Sequence, residues 1–216
     1  MKERLLNLSG TKEEAKKMIN IIIKCVFVAL VAYILGNISP ARIIGRIYKV
    51  DVTQEGSGNP GTTNVIRILG LKAGLITLLI DVFKAFIAVK FGISFGGFEG
   101  SIVAFIAVII GHCFPILYSF KGGKGVACAL GAAFALNWPS AAIILFVAII
   151  VLLIGKRMSV ASLSAAIVYP VIMPRIAPEF EFLAIALALF LIITHIPNIK
   201  RLIAGEEKKL EIGKKK

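Results

Sequence analysis

The sequence predicts an all-α, polytopic integral membrane protein with about seven transmembrane helices. Three observations support this fold class. Hydrophobic residues make up 58% of the 216 residues and the mean hydropathy is +0.90, whereas soluble domains are about 45–50% apolar. The apolar residues form long runs with few or no charges, as bilayer-spanning helices require. Lysine and arginine collect between these runs, so a single membrane domain accounts for the pattern.

The individual helices are separated by charges, polar loops and Gly or Pro clusters. In chain order, the predicted helices are 21–47, 69–91, 101–118, 125–137, 140–154, 159–173 and 180–196. The fourth is shorter than the roughly 20 residues that span a hydrocarbon core. It could be a half-helix, an interfacial segment or a short span in a thinned bilayer. The helical domain covers residues 21–203, between a polar N-terminal extension (1–20) and a basic tail (204–216).

The distribution of basic residues predicts the orientation of the helices. Short cytoplasmic loops carry an excess of lysine and arginine. These residues concentrate in the first, third and fifth connections and in the tail, which places the C-terminus in the cytoplasm and, with seven spans, the N-terminus outside. The basic N-terminal extension argues the other way. Although the net charge is +13, the basic residues do not follow one amphipathic face, so nucleic acid is not expected as a partner.

The loop after the first predicted helix has the composition of an anion-binding loop. Closely spaced glycines turn backbone N–H groups toward one point, hydroxyls add donors, and an arginine supplies a guanidinium fork that matches phosphate oxygens. The residues concerned are Gly56, Ser57, Gly58, Asn59, Gly61, Thr62, Thr63, Asn64 and Arg67. An ordinary interhelical loop is the alternative for the glycines alone.

A second glycine-rich loop precedes the short fourth helix. In Lys121-Gly122-Gly123-Lys124-Gly125, two ammonium groups flank backbone donors at a predicted helix N-terminus, where the helix dipole also favours an anion. The spacing is not that of a Walker A motif. If the lysines merely marked the cytoplasmic side, the adjoining glycines would be unexplained.

A third polar group follows the last predicted helix. His195 and Asn198 are three residues apart and share a face if the segment is helical. An interfacial histidine and a helix-capping asparagine are the simpler interpretation of this pair alone. The predicted topology places all three groups on the cytoplasmic side. Two anion-binding loops facing one pocket suit a reaction between two phosphate-bearing substrates.

Several kinds of chemistry are disfavoured. Glu55 stands where a Gly-x-Ser-x-Gly nucleophile motif around Ser57 would need glycine. Neither histidine is followed five residues later by aspartate, as in many acyltransferases that use thioesters. The sequence pattern suggests no metal site or cofactor. Asp81 lies in the second predicted helix three residues before Lys84, so an intrahelical ion pair is its expected role.

These residues resemble the bacterial acyl-phosphate:glycerol-3-phosphate acyltransferases of the PlsY type. The resemblance rests on residues 56–67, 111–115, 120–127, 159–163 and 195–207. It implies that an acyl group passes from acyl phosphate to the 1-hydroxyl of glycerol 3-phosphate, giving 1-acyl-glycerol 3-phosphate (lysophosphatidate) and inorganic phosphate, as the first acylation of phospholipid synthesis. It also implies a location in the bacterial inner membrane, among membrane lipids.

The resemblance implies roles for two sets of residues. The catalytic set is Ser57, Arg67, Lys124, His195 and Asn198. The substrate- or phosphate-binding set is Gly56, Gly58, Asn59, Gly61, Thr62, Thr63, Asn64, Lys121, Gly122, Gly123 and His112. Two departures from the family pattern are Pro60 in the first loop and Ile196-Pro197 between the histidine and the asparagine. A transporter or lipid-binding protein for a phosphorylated metabolite is the alternative function.

Overall fold

The computed structural model describes residues 2–210, with side chains described from residue 12 onward. The described part of the chain contains nine α-helices and no β-strand, which confirms the all-α prediction. The helices are α1 (Lys2–Asn37), α2 (Pro40–Ile47), α3 (Thr62–Leu69), α4 (Leu71–Cys113), α5 (Val126–Leu136), α6 (Trp138–Gly155), α7 (Met158–Ile176), α8 (Glu181–Thr194) and α9 (Ile196–Ile203). Two short 3₁₀ turns occupy Ile116–Tyr118 and Pro178–Phe180.

Helix α4 is a hairpin of two antiparallel arms, residues 71–96 and 98–113. A straight helix of its length would measure about 65 Å, roughly twice the hydrocarbon thickness of a bilayer. Gly97 interrupts the helix with φ of 66°, which glycine adopts without a steric penalty. A Cβ added at Gly92 would lie only 2.6 Å from the Cβ of Ala104, so the arms pack side by side. They correspond to the second and third predicted helices.

The prediction of one helix over residues 21–47 was wrong at its C-terminal end. Helix α1 stops at Asn37, and α2 starts at Pro40. Ser39 is extended, with φ of −107° and ψ of 93°, because a residue before proline is disfavoured in the helical region. At the other end, α1 begins at Lys2, so the polar extension is an extension of the first helix. Helix α3 was not predicted; it lies in the segment expected to be a loop between the first two helices.

Judged by length and composition, fewer helices can span a membrane than the seven predicted. Four helical stretches of the described chain are long and apolar enough to cross a membrane, and the α8–α9 pair, bent by 59°, would make five. The long stretch that contains α4 counts once in this total, and α5 has only 11 residues. Seven spans require both arms of α4 and the short α5 to cross, and that count stays a prediction.

The connections of the bundle gather at two opposite ends. At one end, the turn of α4 meets the α7–α8 connection, where the rings of Phe98 and Phe180 stack at 5.4 Å. At the other end, Arg42 donates to the carbonyl of Lys121 at 2.9 Å, and Thr194 donates to the carbonyl of Lys124 at 3.0 Å. The basic connections predicted to share the cytoplasmic face therefore meet in the structure. Of the predicted basic tail, residues 211–216 lie outside the described residues.

Candidate active site

A cavity of about 360 Å³ opens where these basic connections meet. Its outer part is lined by polar and charged side chains from the two glycine-rich loops and from α9. Its inner part is lined mainly by leucine, isoleucine and alanine side chains of α4 to α8. The cavity therefore offers a polar mouth and an apolar interior to one ligand.

The structure brings the three predicted polar groups together around this cavity. All five residues of the predicted catalytic set line it: Ser57, Arg67, Lys124, His195 and Asn198. So do six of the predicted binding residues: Asn59, Gly61, Thr62, Thr63, Asn64 and His112. The remaining five, Gly56, Gly58, Lys121, Gly122 and Gly123, are not part of the lining. Segments more than 100 residues apart in the chain thus form one site.

The first loop is organised by the buried side chain of Asn64. Its amide oxygen accepts from the backbone N–H of Ser57 at 2.8 Å, and its amide nitrogen donates to the carbonyls of Val52 and Glu55 at 2.8 and 3.0 Å. The N–H of Gly58 donates to the Glu55 carbonyl at 3.0 Å. These groups are therefore occupied within the loop and do not form the backbone anion site predicted for them. The loop instead presents side chains and the start of α3, where the N–H groups of Asn64 and Val65 already donate to the Gly61 carbonyl at 3.0 and 3.1 Å.

Thr62 and Arg67 of α3 carry buried donors that lack partners in the described part of the chain. The Thr62 hydroxyl and the Arg67 Nε make no hydrogen bond there, while an Arg67 Nη donates to the Lys208 carbonyl at 3.3 Å. Burial lowers the pKa of the Arg67 guanidinium, and Glu207 opposes this effect, but an arginine stays charged in proteins. Buried polar groups are normally hydrogen-bonded, so an anion in the cavity would complete this site.

The glycines of the second loop serve close packing, which corrects their predicted role. The N–H of Gly122 donates to the Cys113 carbonyl at 3.0 Å, and that of Gly123 to the His112 carbonyl at 3.1 Å. A Cβ at Gly122 would lie 2.6 Å from the Cys113 oxygen, and one at Gly123 would lie 2.9 Å from Cε1 of His112. Their N–H groups are thus unavailable to a ligand. Lys121 is exposed, and of the two predicted ammonium groups only that of Lys124 reaches the cavity.

Lys124 belongs to a chain of charged and amide groups. Its ammonium donates to the amide oxygen of Asn198, whose amide nitrogen donates to a carboxylate oxygen of Glu207 at 2.7 Å. The other carboxylate oxygen of Glu207 accepts from Nε of Arg201 at 2.7 Å. Burial lowers the pKa of Lys124 to about 8; Glu207 opposes this, whereas Arg201 and Arg67 reinforce it. Asn198 therefore orients the ammonium at the edge of the cavity.

Glu207 and Arg201 line the cavity but were missed as site residues in the sequence. The position of Arg201, three residues after Asn198 on α9, could have indicated it. Glu207 follows α9 in an irregular basic segment and carries no such periodic signal. Burial alone raises the pKa of Glu207, but the hydrogen bonds from Asn198 and Arg201 outweigh burial, and the pKa lies below its usual value. The carboxylate is therefore ionised at neutral pH.

The segment that carries Glu207, residues 206–210, returns over the rim of the cavity. The N–H of Glu207 donates to the Arg201 carbonyl at 3.1 Å, and Arg157 donates to the Glu207 carbonyl at 3.1 Å. The N–H of Leu210 donates to the Lys156 carbonyl at 2.6 Å. This segment joins α9, the α6–α7 connection and, through the Lys208 carbonyl, α3. We refer to it below as the tail strap.

Replacing Glu207 by glutamine is expected to destabilise the protein and to lower the pKa of Lys124 further. Asn198 and Arg201 donate to different oxygens of the carboxylate, and glutamine replaces one of these oxygens by an NH2 group that cannot accept. A hydrogen bond to a charged group is therefore lost, which costs about 1.5–3 kcal/mol. Thermal unfolding in detergent measures the loss of stability, and the pH dependence of kcat/KM reports the pKa of Lys124 in the free enzyme. Glu206→Gln removes an exposed carboxylate and is the matched control. Equal unfolding temperatures of the two variants would contradict the stabilising role assigned to the Glu207 carboxylate.

His195 presents one ring nitrogen to the protein and leaves the other for the cavity. Its Nδ1 lies 2.8 Å from the carbonyl oxygen of Leu191; because a carbonyl only accepts, Nδ1 carries the hydrogen, and Nε2 of the neutral ring is an acceptor. The departure from the family pattern at Ile196-Pro197 does not disrupt the helical spacing of His195 and Asn198. Pro197 lies in the first turn of α9, where proline is tolerated, and the N–H of Asn198 donates to the His195 carbonyl at 2.8 Å.

A buried ion-pair network adjoins the cavity on the α4 hairpin. The Lys84 ammonium lies 2.7 Å from a carboxylate oxygen of Asp81, which confirms the predicted intrahelical pair. Nδ1 of His112 lies 3.2 Å from that same oxygen and 3.2 Å from the ammonium. His112, predicted to bind phosphate, thus uses this nitrogen in the network. Asp81, His112 and Cys128 have metal-ligand spacing, but the Lys84 ammonium already balances the carboxylate.

Comparison with known proteins identifies relatives over nearly the whole chain. Residues 26–205 match the family described as Glycerol-3-phosphate acyltransferase. A glycerol-3-phosphate acyltransferase of Alkaliphilus metalliredigens is 37% identical over 199 residues, which cover 92% of this chain and 98% of the relative. One of Clostridioides difficile is 40% identical over 203 residues, which cover 90% of this chain and 98% of the relative.

Two solved structures share the fold. The crystal structure of PlsY, an integral membrane glycerol 3-phosphate acyltransferase, in its glycerol 3-phosphate form has a TM-score of 0.81 at 34% identity, covering 87% of this chain and 96% of PlsY. The lysophosphatidic acid form has a TM-score of 0.77 at 35% identity, covering 86% and 94%. At this identity and coverage, sequence and fold agree on one family.

Proposed function

We propose, from the premise that the chain belongs to the glycerol-3-phosphate acyltransferase family, that its acyl donor is an acyl phosphate and that transfer takes place in the cavity described above. The protein is an integral membrane acyltransferase that acts on glycerol 3-phosphate. In the proposed reaction, the 1-hydroxyl oxygen attacks the acyl carbonyl carbon and the bond from that carbon to the phosphate oxygen breaks. The products are 1-acyl-glycerol 3-phosphate and inorganic phosphate.

The observation that carries this proposal is the convergence of cationic groups and unpartnered donors at the mouth of an apolar cavity. Lys124, Arg67 and Thr62 line the same opening, and the Thr62 hydroxyl and the Arg67 Nε have no partner among the described residues. Two phosphate groups brought to one site repel each other, and two nearby cations offset that repulsion. The apolar interior suits the acyl chain of the donor.

The residues act through orientation and electrostatics. An acyl phosphate is a mixed anhydride with a good leaving group, so no covalent enzyme intermediate is needed. We place the acyl-phosphate end against Ser57, Thr62 and Arg67, and the phosphate of glycerol 3-phosphate against Lys124 and His195. Holding the hydroxyl close to the carbonyl supplies much of the rate enhancement, and the fixed cations stabilise the charge that develops on the oxygens.

The proton of the attacking hydroxyl has two possible acceptors in this arrangement. A phosphate oxygen of the acyl phosphate is the first, and the proton then leaves with inorganic phosphate. Nε2 of His195 is the second, because the Leu191 carbonyl holds the hydrogen on Nδ1. Asn198 uses both ends of its amide on Lys124 and Glu207, so we assign it to positioning the ammonium.

We propose that the cavity mouth opens on the cytoplasmic side of the bacterial inner membrane. The basic connections meet at the mouth, and the positive-inside rule places such connections in the cytoplasm. Glycerol 3-phosphate would then enter from water, while the acyl donor and the acylated product exchange with membrane lipids.

The test is an assay of the purified protein in detergent with acyl phosphate and glycerol 3-phosphate. Inorganic phosphate and lysophosphatidate are expected to appear in a one-to-one ratio, and glycerol is expected to be a poor substitute acceptor. Acyl thioester replaces acyl phosphate in a parallel reaction. Product formed only from the thioester would overturn the proposed donor. Phosphate released without lipid product would indicate hydrolysis, and binding without phosphate release would indicate a transport or lipid-binding role.

A further inference from the structure

We infer that Tyr169 limits the length of the acyl chain that the enzyme accepts, because its ring closes the inner end of the cavity. The inference rests on the proposed function, in which the acyl chain occupies the apolar interior. It adds a specificity-determining residue that lies far from the reacting groups.

Helix α7 lines the cavity with a face of small side chains. Ser159, Ser162, Ala165 and Ala166 all contribute to the lining, and their spacing of three or four residues puts them on one side of the helix. Small side chains leave room for an extended ligand beside the helix. We call this face the α7 lane.

Tyr169 is the first large side chain at the inner end of the α7 lane. It lines the cavity and is 2% exposed. Met173, one turn further along α7, is fully buried in the hydrophobic core and is not part of the lining. The cavity therefore ends against the tyrosine ring on this side.

The facing helices end their contribution at a similar depth. From Ser159 to Tyr169 the helix rises about 15 Å. On α6, the lining runs from Leu152 in to Ile144, and on α8 from Leu191 to Leu187. Ile144 lies 11 residues before the end of α6, and Tyr169 lies 11 residues after the start of α7. The two side chains are therefore at the same depth, and the ring of Tyr169 forms the α7 side of the innermost wall, where the terminal methyl of a long chain would arrive.

Chain length then controls how well a donor fits. Each methylene buried in an apolar cavity improves binding by about fourfold. Once the chain reaches a rigid wall, a further methylene produces a clash in place of that gain. Replacing Tyr169 by a smaller residue should therefore let kcat/KM keep rising with chain length beyond the wild-type limit.

The experiment measures kcat/KM for a series of saturated acyl phosphates of increasing length with wild-type protein and three variants. Tyr169→Ala is expected to move the preferred length to longer chains and to improve kcat/KM at least tenfold for donors longer than the wild-type preference. Ala166→Leu fills the α7 lane one turn nearer the mouth and is expected to move the preference to shorter chains.

Tyr169→Phe keeps the ring and removes the hydroxyl, so it tests the contribution of the ring alone. The hydroxyl is near Ser140 but makes no hydrogen bond of ordinary geometry within the described chain. The phenylalanine variant is therefore expected to keep the wild-type length preference. If it shifted the preference as far as the alanine variant does, the ring would not be the limiting wall.

The inference is overturned if Tyr169→Ala keeps the wild-type preference. That result would mean that the chain leaves the cavity sideways into the bilayer, for example between Leu75 and Ile149, which line the cavity and are 45% and 47% exposed. If Tyr169→Ala does not fold, Tyr169→Leu replaces it, and an unchanged preference in both Tyr169→Leu and Ala166→Leu has the same meaning. Wild-type protein inactive on every acyl phosphate would instead refute the proposed function.

Discussion

Replacing Lys124 by alanine is expected to lower kcat/KM for glycerol 3-phosphate by a factor of about 100 to 1,000, the usual cost of removing one group that stabilises transition-state charge. Lys124 is the ammonium of the second glycine-rich loop that reaches the cavity, and Asn198 holds it in place. Steady-state kinetics at saturating acyl phosphate give the change. Lys121→Ala is the matched control, because Lys121 belongs to the same loop, is exposed and does not line the cavity.

The same residue predicts how activity depends on pH. Because burial lowers the pKa of Lys124 to about 8, the free enzyme loses this positive charge as the pH rises above 8. We therefore expect kcat/KM to fall on the alkaline side. The phosphate of the substrate has its second pKa near 6, so its own titration does not produce this fall. Lys124→Arg keeps its charge at all accessible pH values and should lack the alkaline limb. An unchanged alkaline limb in that variant would refute the assignment to Lys124.

Replacing Arg67 by alanine is expected to have an effect of similar size, about 100- to 1,000-fold in kcat/KM, expressed mainly with respect to acyl phosphate. The guanidinium lines the cavity with a buried Nε that has no partner in the described chain, so it has a donor available for phosphate. Kinetics with varied acyl phosphate at saturating glycerol 3-phosphate provide the measurement.

Two further variants show whether the loss of kcat/KM in Arg67→Ala reflects phosphate binding in the cavity. Arg67→Lys restores the charge without the planar fork and should remain about tenfold below wild type, the effect of one lost hydrogen bond. Arg175→Ala removes an exposed arginine at the C-terminal turn of α7 and should stay within about twofold of wild type. A loss in Arg175→Ala as large as in Arg67→Ala would show a general response to lost positive charge.

The helices could be predicted from the sequence because hydrophobic runs and helix breakers are local signals. The α4 hairpin illustrates this, since the sequence predicts two helices there, at 69–91 and 101–118, and the structure has two arms, at 71–96 and 98–113. The break at Ser39–Pro40 was also readable, because proline disfavours a helical residue before it. The apolar pattern nevertheless continues across Pro40 to Ile47 and predicts one uninterrupted helix.

The arrangement of the site could be predicted only in part. Loop composition indicates the two glycine-rich segments, and the family resemblance implies Ser57, Arg67, Lys124, His195 and Asn198 as the catalytic candidates. The structure gathers these five residues around one cavity. Nothing in the loop sequence distinguishes Lys124 from Lys121, because both flank the same glycine pair and only the packing against His112 and Cys113 decides which reaches inward. The roles of Asn64 and Glu207 were equally out of reach, since each depends on hydrogen bonds to partners brought near by folding.

The tail strap makes the order of synthesis matter for this enzyme. Glu207 follows every membrane helix in the chain, yet its carboxylate accepts from Asn198, the residue that holds Lys124. A nascent chain that has already inserted all its spans therefore still has an unassembled charge network. Until this late segment docks, the Glu207 carboxylate is missing from the network that orients Lys124.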